Sequence, residues 1–465
     1  MITFKSYSNL SCGIAVSILA LTLAACQSMR GPEPVVQANI PTGYKHAADS
    51  SIADTGYQDF FIDARLLKVI DLALANNRDL RTATLNIDRV QQQFQIARNN
   101  QLPTISANGG VLRQNIGNAS STSTNYNVGL GLTSYELDFW GRIRSLKDNA
   151  LDSYLATSNA KDATKISLIS QVAQVWLAYS YANANLQLSE QTLISQQEAY
   201  NLNKKRFNAG IDNELSVHQA QISLETAQSD VSNYKTQVAQ ALNALNLLAG
   251  QPVPENLLAK TQVKKVTSIY SIGTGLPSDL LRNRPDLRSA EFKLSAAGAN
   301  IGAAKALLFP TITLTGTAGY ASTSLSNLFK SGNFLWSVGP SFNIPIFDWS
   351  TRKANVKISK IDQKIALSDY EKAIQTAFSE VNDALATRFN IEDRLSAQSR
   401  LVEASQASYR LSNARFKAGI DGYLNVLDAQ RSSYRAEQNL LTLEQANLNN
   451  QIELYKSLGG GIKEK

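Results

Sequence analysis

The chain is poor in the residues that most often do chemistry. It has two histidines, His46 and His218, and two cysteines, Cys12 and Cys26. Imidazole titrates near neutral pH and ligates metals, and a thiolate is both nucleophile and metal ligand. No HExxH, Walker A, GxSxG or CxxC pattern joins these residues to partners. Carboxylates are numerous, but no spacing singles out an acid–base pair. Asp54, Asp59 and Asp63 read as surface residues of a polar N-terminal region, and His218 as a solvated or packed helix residue. Catalysis, a metal ion and a cofactor are not expected. Cys26 differs because of what precedes it. Lys5 supplies a positive start, Gly13 to Ala25 is an apolar run, and the run ends Leu23-Ala24-Ala25-Cys26.

That run is too short to span a bilayer as a stable helix and reads as a secretory signal over residues 1–25. Small residues ahead of a cysteine resemble the bacterial lipobox, which implies diacylglycerol on Cys26 Sγ and an acyl group on its new amine. Several acyl chains hold a protein firmly to a membrane. The next residue is Gln27, where an Asp would favour retention at the inner membrane, so export to the outer membrane is expected. Removing 1–25 takes one Lys and no acid, and the net charge falls from +7 to +6 (44 basic minus 38 acidic). These charges are scattered, without the concentrated basic face that nucleic-acid binding wants. Beyond the signal no apolar stretch approaches 18 residues. A crossing of the membrane would therefore need β-strands closed into a barrel.

The elements that would build such a barrel occur twice. Tyr200–Asp212, which contains Arg206-Phe207-Asn208-Ala209-Gly210-Ile211-Asp212, matches Tyr409–Asp421, which contains Arg415-Phe416-Lys417-Ala418-Gly419-Ile420-Asp421. Asp79-Leu80-Arg81 matches Asp286-Leu287-Arg288, and Pro103-Thr104-Ile105 matches Pro310-Thr311-Ile312. Leu137–Trp140 matches Ile346–Trp349. An ordered offset of about 207–210 residues means one supersecondary unit used twice. Length alone suggests about three domains; the repeat argues for one elongated unit instead. The expected division is signal 1–25, lipidated segment and belt 26–76, first repeat 77–262, linker 263–285, second repeat 286–458 and tail 459–465.

Each repeat reads as a helix (79–101, 286–308), a proline that stops it, two strands, a long helix (141–207, 350–416) and a return helix (213–248, 422–457). Gly210 and Gly419 suit left-handed helix ends, with Asp212 or Asp421 able to cap the next helix. Period-2 alternation marks strands at 126–132, 311–318 and 336–346, with a less clear one at 104–112. It matches the transmembrane β signature. Polar loops are expected at 115–123 and 322–332, and a bulge or strand end at Pro340 and Pro345. Trp140, Phe347 and Trp349 lie where strand meets helix and suit a membrane interface. A helix of about 65 residues would be about 100 Å long, and its narrow apolar stripes suit coiled-coil neighbours. Four strands cannot close a transmembrane barrel, so the barrel must be shared between subunits.

Together the lipobox, Glu136-Leu-Asp-Phe-Trp-Gly-Arg142, Asn283-Arg-Pro-Asp286, Pro345-Ile-Phe-Asp348, and Arg415–Asp421 followed by Leu427-Asp-Ala-Gln430 resemble the TolC-like outer membrane factor family. They are most similar to its lipidated OprM/NodT branch. The resemblance covers essentially the whole mature chain. It implies a mainly α fold with transmembrane β: a trimeric twelve-strand barrel, four strands per chain, continuous with a long α-helical periplasmic barrel. It implies an exit duct in the outer membrane, anchored by lipid. The implied partners are a periplasmic membrane fusion (adaptor) protein and an inner-membrane transporter of the resistance–nodulation–division class. By match to the family motif, Leu424 and Asp428 are the aperture residues, an i, i+4 pair. Three copies of Asp428 would form a narrow carboxylate ring. Asn425 departs from relatives that carry an acid there. The first-half counterparts, Leu215 and Gln219, break the symmetry. The resemblance also implies adaptor docking at Arg206, Phe207 and Gly210, and at Arg415, Phe416 and Gly419. A duct for protein secretion and a non-channel coiled-coil lipoprotein are the competing readings.

Overall fold

The computed structural model describes residues 29–41, 43–44, 55–115, 122–268 and 283–461. Its elements run α1 (Tyr57–Phe60), α2 (Ala64–Asn76), α3 (Arg78–Asn99), β1 (Ile105–Asn115), β2 (Thr122–Glu136), α4 (Arg142–Asn208) and α5 (Glu214–Ala249). The second half follows as α6 (Pro285–Ala306), β3 (Thr311–Ser322), β4 (Phe334–Asn343), α7 (Trp349–Lys417) and α8 (Tyr423–Ser457). The helix, strand pair, long helix and return helix of one half recur in the other.

The helix ends follow from local chemistry. α3 and α6 each stop four residues before a proline, Pro103 and Pro310. Both unwind through a last tight turn, with Leu102 N–H bonded to Asn99 O at 2.9 Å and Phe309 N–H to Ala306 O at 3.1 Å. Asp138 starts α4 by accepting from the backbone N–H groups of Ile143 and Arg144, each at 3.0 Å. The aspartates at the hairpin turns do not cap. Asn213 caps α5 by accepting from Ser216 N–H, and Gly422 starts α8 without a side-chain cap. Both lie one residue too early: Asp212 accepts from Asn213 N–H at 2.8 Å and Ser216 Oγ–H at 2.9 Å, 3.6 Å from Arg206, and Asp421 is held by Arg415.

The chain divides into two compact units, each drawing on both repeats. The described parts of 1–37, 86–158 and 289–371 form the first. It holds a four-stranded antiparallel sheet in the order β1-β2-β3-β4. β1 and β2 are longer than their period-2 stretches imply, because glycine and asparagine fill positions that carry no hydropathy contrast. Residues 116–121, in one expected loop, lie outside the described residues; the other contains a short helical turn, Leu325–Asn327. Pro340 makes no bulge. β3 and β4 stay in register through Leu314 and Pro340, and β4 is an edge strand within the chain, where a missing donor is tolerated. β4 ends at Asn343, so Ile344 and Ile346 fall beyond it. The bulge lies on β2 between Leu132 and Tyr135, where Ser134 has φ 47°.

The described parts of 38–85, 159–288 and 372–465 form the second unit. Leu66, Val69, Ile70 and Ala73 make the buried face of α2, at about 1.5–3 kcal/mol for each large side chain. Phe60 stacks on Tyr455 at 4.1 Å, with Phe61 edge-on. The stretch after α5 is pinned along α4. Trp176 Nε1–H, Ser180 Oγ–H and Tyr181 O–H donate to the carbonyls of Leu257, Thr261 and Val263 at 3.0, 2.8 and 3.0 Å. The Asn283–Asp286 motif is a staple. Buried Arg284 bonds Asp286 at 2.6 Å, Glu380 at 2.7 Å and the Ser457 carbonyl at 2.9 Å. Burial pulls its guanidinium down, but the two carboxylates outweigh burial and hold it up.

Candidate functional site

The two hairpin turns are built alike. Gly210 (φ 72°) and Gly419 (φ 75°) follow the long helices. In the first, Gly210 N–H bonds Phe207 O and Ile211 N–H bonds Arg206 O, both at 2.9 Å. In the second, Gly419 N–H bonds Phe416 O at 3.0 Å and Ile420 N–H bonds Arg415 O at 2.9 Å. This is the Schellman arrangement, in which a left-handed residue lets two orphan carbonyls be satisfied. Arg415 grips Asp421 through two bonds, 2.6 and 3.1 Å. That hydrogen bond holds the Asp421 carboxyl below its usual range.

The turns differ in their phenylalanines. Phe207 is 41% exposed and Phe416 is 2% exposed. Phe416 anchors a small core with Ala220, Tyr423, Val426 and Leu427, and the Arg206 guanidinium lies over its ring at 4.9 Å. So the first-half arginine covers the second-half aromatic. Burial pushes the Tyr423 phenol up to about 12.

The start of α8 has two faces. Tyr423, Val426, Leu427 and Gln430 are buried. Leu424 is 54% exposed, and Asn425 and Asp428 are exposed beside it. Asp428, Asn425, Arg415, Asp421 and Ser412 line one open polar groove between α7 and α8. Leu215 is the exposed first-half counterpart of Leu424. Six to ten residues beyond Asp428 on α8, a polar ladder ties the return helices together. Tyr434 O–H donates to Asp230 Oδ2 at 3.1 Å, and Gln438 Nε2 donates to the Tyr234 hydroxyl at 3.0 Å. No sequence signal singled out this ladder, because its partners come from different repeats.

The sheet has two chemically distinct faces. Directly paired residues share a face. One face carries Val111 opposite Tyr126, Leu130 opposite Ala318, Val338 opposite Gly316 and Phe342 opposite Ile312. The other carries Asn108, Asn127, Thr313, Thr317, Ser337 and Ser341, with hydroxyl pairs Thr313–Ser341 and Thr317–Ser337 at 2.7 Å. Among the paired strand residues the only charge on this second face is Glu136, at the helix end, bonded twice to Arg142 at 2.8 and 2.6 Å. β4 is exposed along its whole length on both faces.

At the strand–helix junction, Trp140 stacks on Phe309 at 4.7 Å and donates Nε1–H to Pro310 O at 2.8 Å. Phe347 is 99% exposed, and Trp349 is partly exposed. At the opposite end of β3 a second aromatic group, absent from the sequence reading, joins Tyr320 to Phe329 and Phe334, each at 5.5 Å. Tyr320 lies beyond the period-2 stretch at 311–318, so alternation alone does not bring it into the strand. Cys26 and His46 lie outside the described residues. His218 is exposed, 3.7 Å from Glu214 on its own helix. Among the described residues, no cluster of three or more His, Cys, Asp or Glu could hold a metal ion. No described helix is long and apolar enough to cross a membrane.

The chain matches the family described as Outer membrane efflux protein over residues 69–251 and 276–460. It is 39% identical to the antibiotic efflux pump outer membrane protein ArpC of Pseudomonas putida, covering 97% of this chain and 96% of that one. It is 37% identical to the cation efflux system protein CusC of Escherichia coli, covering 97% and 99%. Among solved structures, the open state of the MtrE outer membrane channel of Neisseria gonorrhoeae superposes with a TM-score of 0.88. Identity there is 38%, covering 94% of this chain and 99% of that one.

Proposed function

This chain belongs to the outer membrane efflux protein family, and from that premise we propose how it works as an outer-membrane exit duct of an efflux pump. The observation that carries the reading is the two-faced sheet. One face is apolar except at its loop end, where Arg113 pairs with Thr124, and the other is almost uncharged, yet both are open in a single chain. A lone four-stranded sheet with free edges cannot stand in a bilayer, because every backbone polar group must be paired there. Three chains joined edge to edge supply twelve strands and leave none unpaired. The apolar face then meets lipid, and the hydroxyl and amide face lines the pore. Trp140, Phe347 and Trp349 stand at the periplasmic edge of the bilayer, and Tyr320, Phe329 and Phe334 at the outer one.

The helices α4, α5, α7 and α8 continue the duct into the periplasm. α7 carries an open apolar stripe, Ile358, Ile361 and Ile365, whose i, i+3, i+7 spacing suits packing against a neighbouring chain. The duct closes where Leu424 and Asp428 project from α8, and three copies make an apolar ring and a carboxylate ring. A periplasmic adaptor docks on the hairpin turns through Arg206, Phe207, Gly210, Arg415 and Gly419, while buried Phe416 acts by shaping its turn. An inner-membrane transporter of the resistance–nodulation–division class supplies the energy. Cys26 carries the lipid anchor. Deleting the gene, alone and with its neighbours, should raise the accumulation of fluorescent drugs, and wild-type protein should restore efflux. Unchanged accumulation in every deletion would refute this assignment.

A further inference from the structure

Residues 30–37 form a strap that the duct reading does not use. The Arg30 guanidinium pairs with Asp152 of α4 at 3.3 Å and donates to the Ser295 carbonyl of α6 at 2.9 Å and to the Ser295 hydroxyl. Ser295 Oγ–H in turn bonds Asp152 at 2.6 Å. Next along, Gly31 N–H bonds Gly298 O at 3.1 Å. Gln363 of α7 donates to Pro32 O at 3.1 Å, and Gln37 N–H donates to Glu371 at 2.7 Å. The seat is cut for backbone. A Cβ on Gly302 would lie 3.1 Å from Arg30 N and 2.6 Å from Ser145 Oγ, and one on Gly31 would lie 2.7 Å from Ile301 Cδ1. At Gly302 a side chain would press on the backbone of the strap itself.

The strap has a direction. Asp152 is ten residues into α4, about 15 Å along the helix from the strand end, whereas Glu371 is 22 residues into α7, about 33 Å along it. Arg30 is therefore the end of the strap nearer the sheet. Cys26 lies four residues before Arg30, a reach of at most about 14 Å.

We propose that the Arg30–Asp152–Ser295 knot is a registration site for the lipid anchor: it holds the acylated N-terminus at a fixed height beside the base of the barrel. This rests on Cys26 being the acylated residue. The partner is the inner, periplasm-facing leaflet of the outer membrane. Because Asp152 belongs to the first repeat and Ser295 to the second, the knot forms only once both halves have packed. The anchor is thus positioned by a folded barrel base rather than by a loose tail.

The test uses the full chain expressed in cells and reads the fraction recovered from outer membranes as SDS-resistant trimer. The mass of the N-terminal peptide reports acylation. Inserting about ten Gly/Ser residues between Met29 and Arg30 adds about 17 Å of root-mean-square reach and leaves every strap contact intact. We expect this insertion and R30A each to lower trimer recovery to the level of C26S, and neither to lower it further when combined with C26S. An insertion variant that matches wild type would overturn the proposal, whatever R30A does, and leave the strap a plain brace. If wild-type Cys26 proves unmodified, the lipidation reading itself falls. If it is modified but C26S assembles normally, registration alone is refuted.

Discussion

Replacing Tyr434 with Phe removes one hydroxyl from the ladder between the return helices and keeps the ring. In the folded chain that hydroxyl donates to Asp230 at 3.1 Å. Burial first, and then the Asp230 carboxylate, push the phenol up, so it remains a donor at any working pH. A hydrogen bond to a charged group contributes about 1.5–3 kcal/mol; both partners are partly exposed, which favours the lower end. If α5 and α8 part when the duct opens, three chains lose about 4.5 kcal/mol of closed-state preference in the variant. At 1.4 kcal/mol per tenfold, the open-to-closed ratio then rises by about a thousandfold. Planar-bilayer recordings of purified Tyr434→Phe trimer should show a much higher open probability than wild type without adaptor. Refutation is equally direct. An unchanged open probability, with only a lower trimer dissociation temperature, would make the ladder a brace that does not move.

Gly210→Ala and Gly419→Ala place a Cβ in open space at positive φ, so each should cost only the left-handed penalty of about 1–2 kcal/mol. Gly250→Ala has the same φ, but its Cβ would sit 2.4 Å from Asn76 O, and its dissociation temperature should fall further than theirs. Arg284→Met leaves Glu380 and the Ser457 carbonyl without their donor and should destabilise the chain by about 3 kcal/mol, read as loss of SDS-resistant trimer at lower temperature. Asp421 is held below its usual range by Arg415. Its stabilisation of the turn is therefore complete above the ordinary carboxylate value of about 3.9 and lost as pH falls through the lowered folded value. The protection factor of the Ile420 amide should hold at pH 5 and fall only in stronger acid.

The long helices, both glycine turns and the strand pairing were legible because each has a local cause: a proline ahead of the strands, a left-handed glycine, a period of two. The repeat did more, since it told that whatever one half forms the other forms too. What escaped depends on distant partners. The Pro340 expectation failed because its strand is an edge within the chain, and edge position is a property of the sheet rather than of the segment. The bulge near Ser134 carries no residue signal at all. Residue type alone suggests that Asp212 and Asp421 cap, but Asn213 takes that place in the first turn and Arg415 claims Asp421 in the second. Phe207 and Phe416 look identical in the repeat. Only packing against Tyr423 and Arg206 separates an exposed ring from a buried one.

The central claim is a shared pore that closes at the start of α8. Its most direct test is the single-channel current of purified trimer carrying Asp428→Ala, compared with wild type in a salt gradient. Loss of the carboxylate ring should raise conductance and weaken the preference for cations. Currents of unchanged size and selectivity would contradict closure at Asp428 and move the gate elsewhere along the duct.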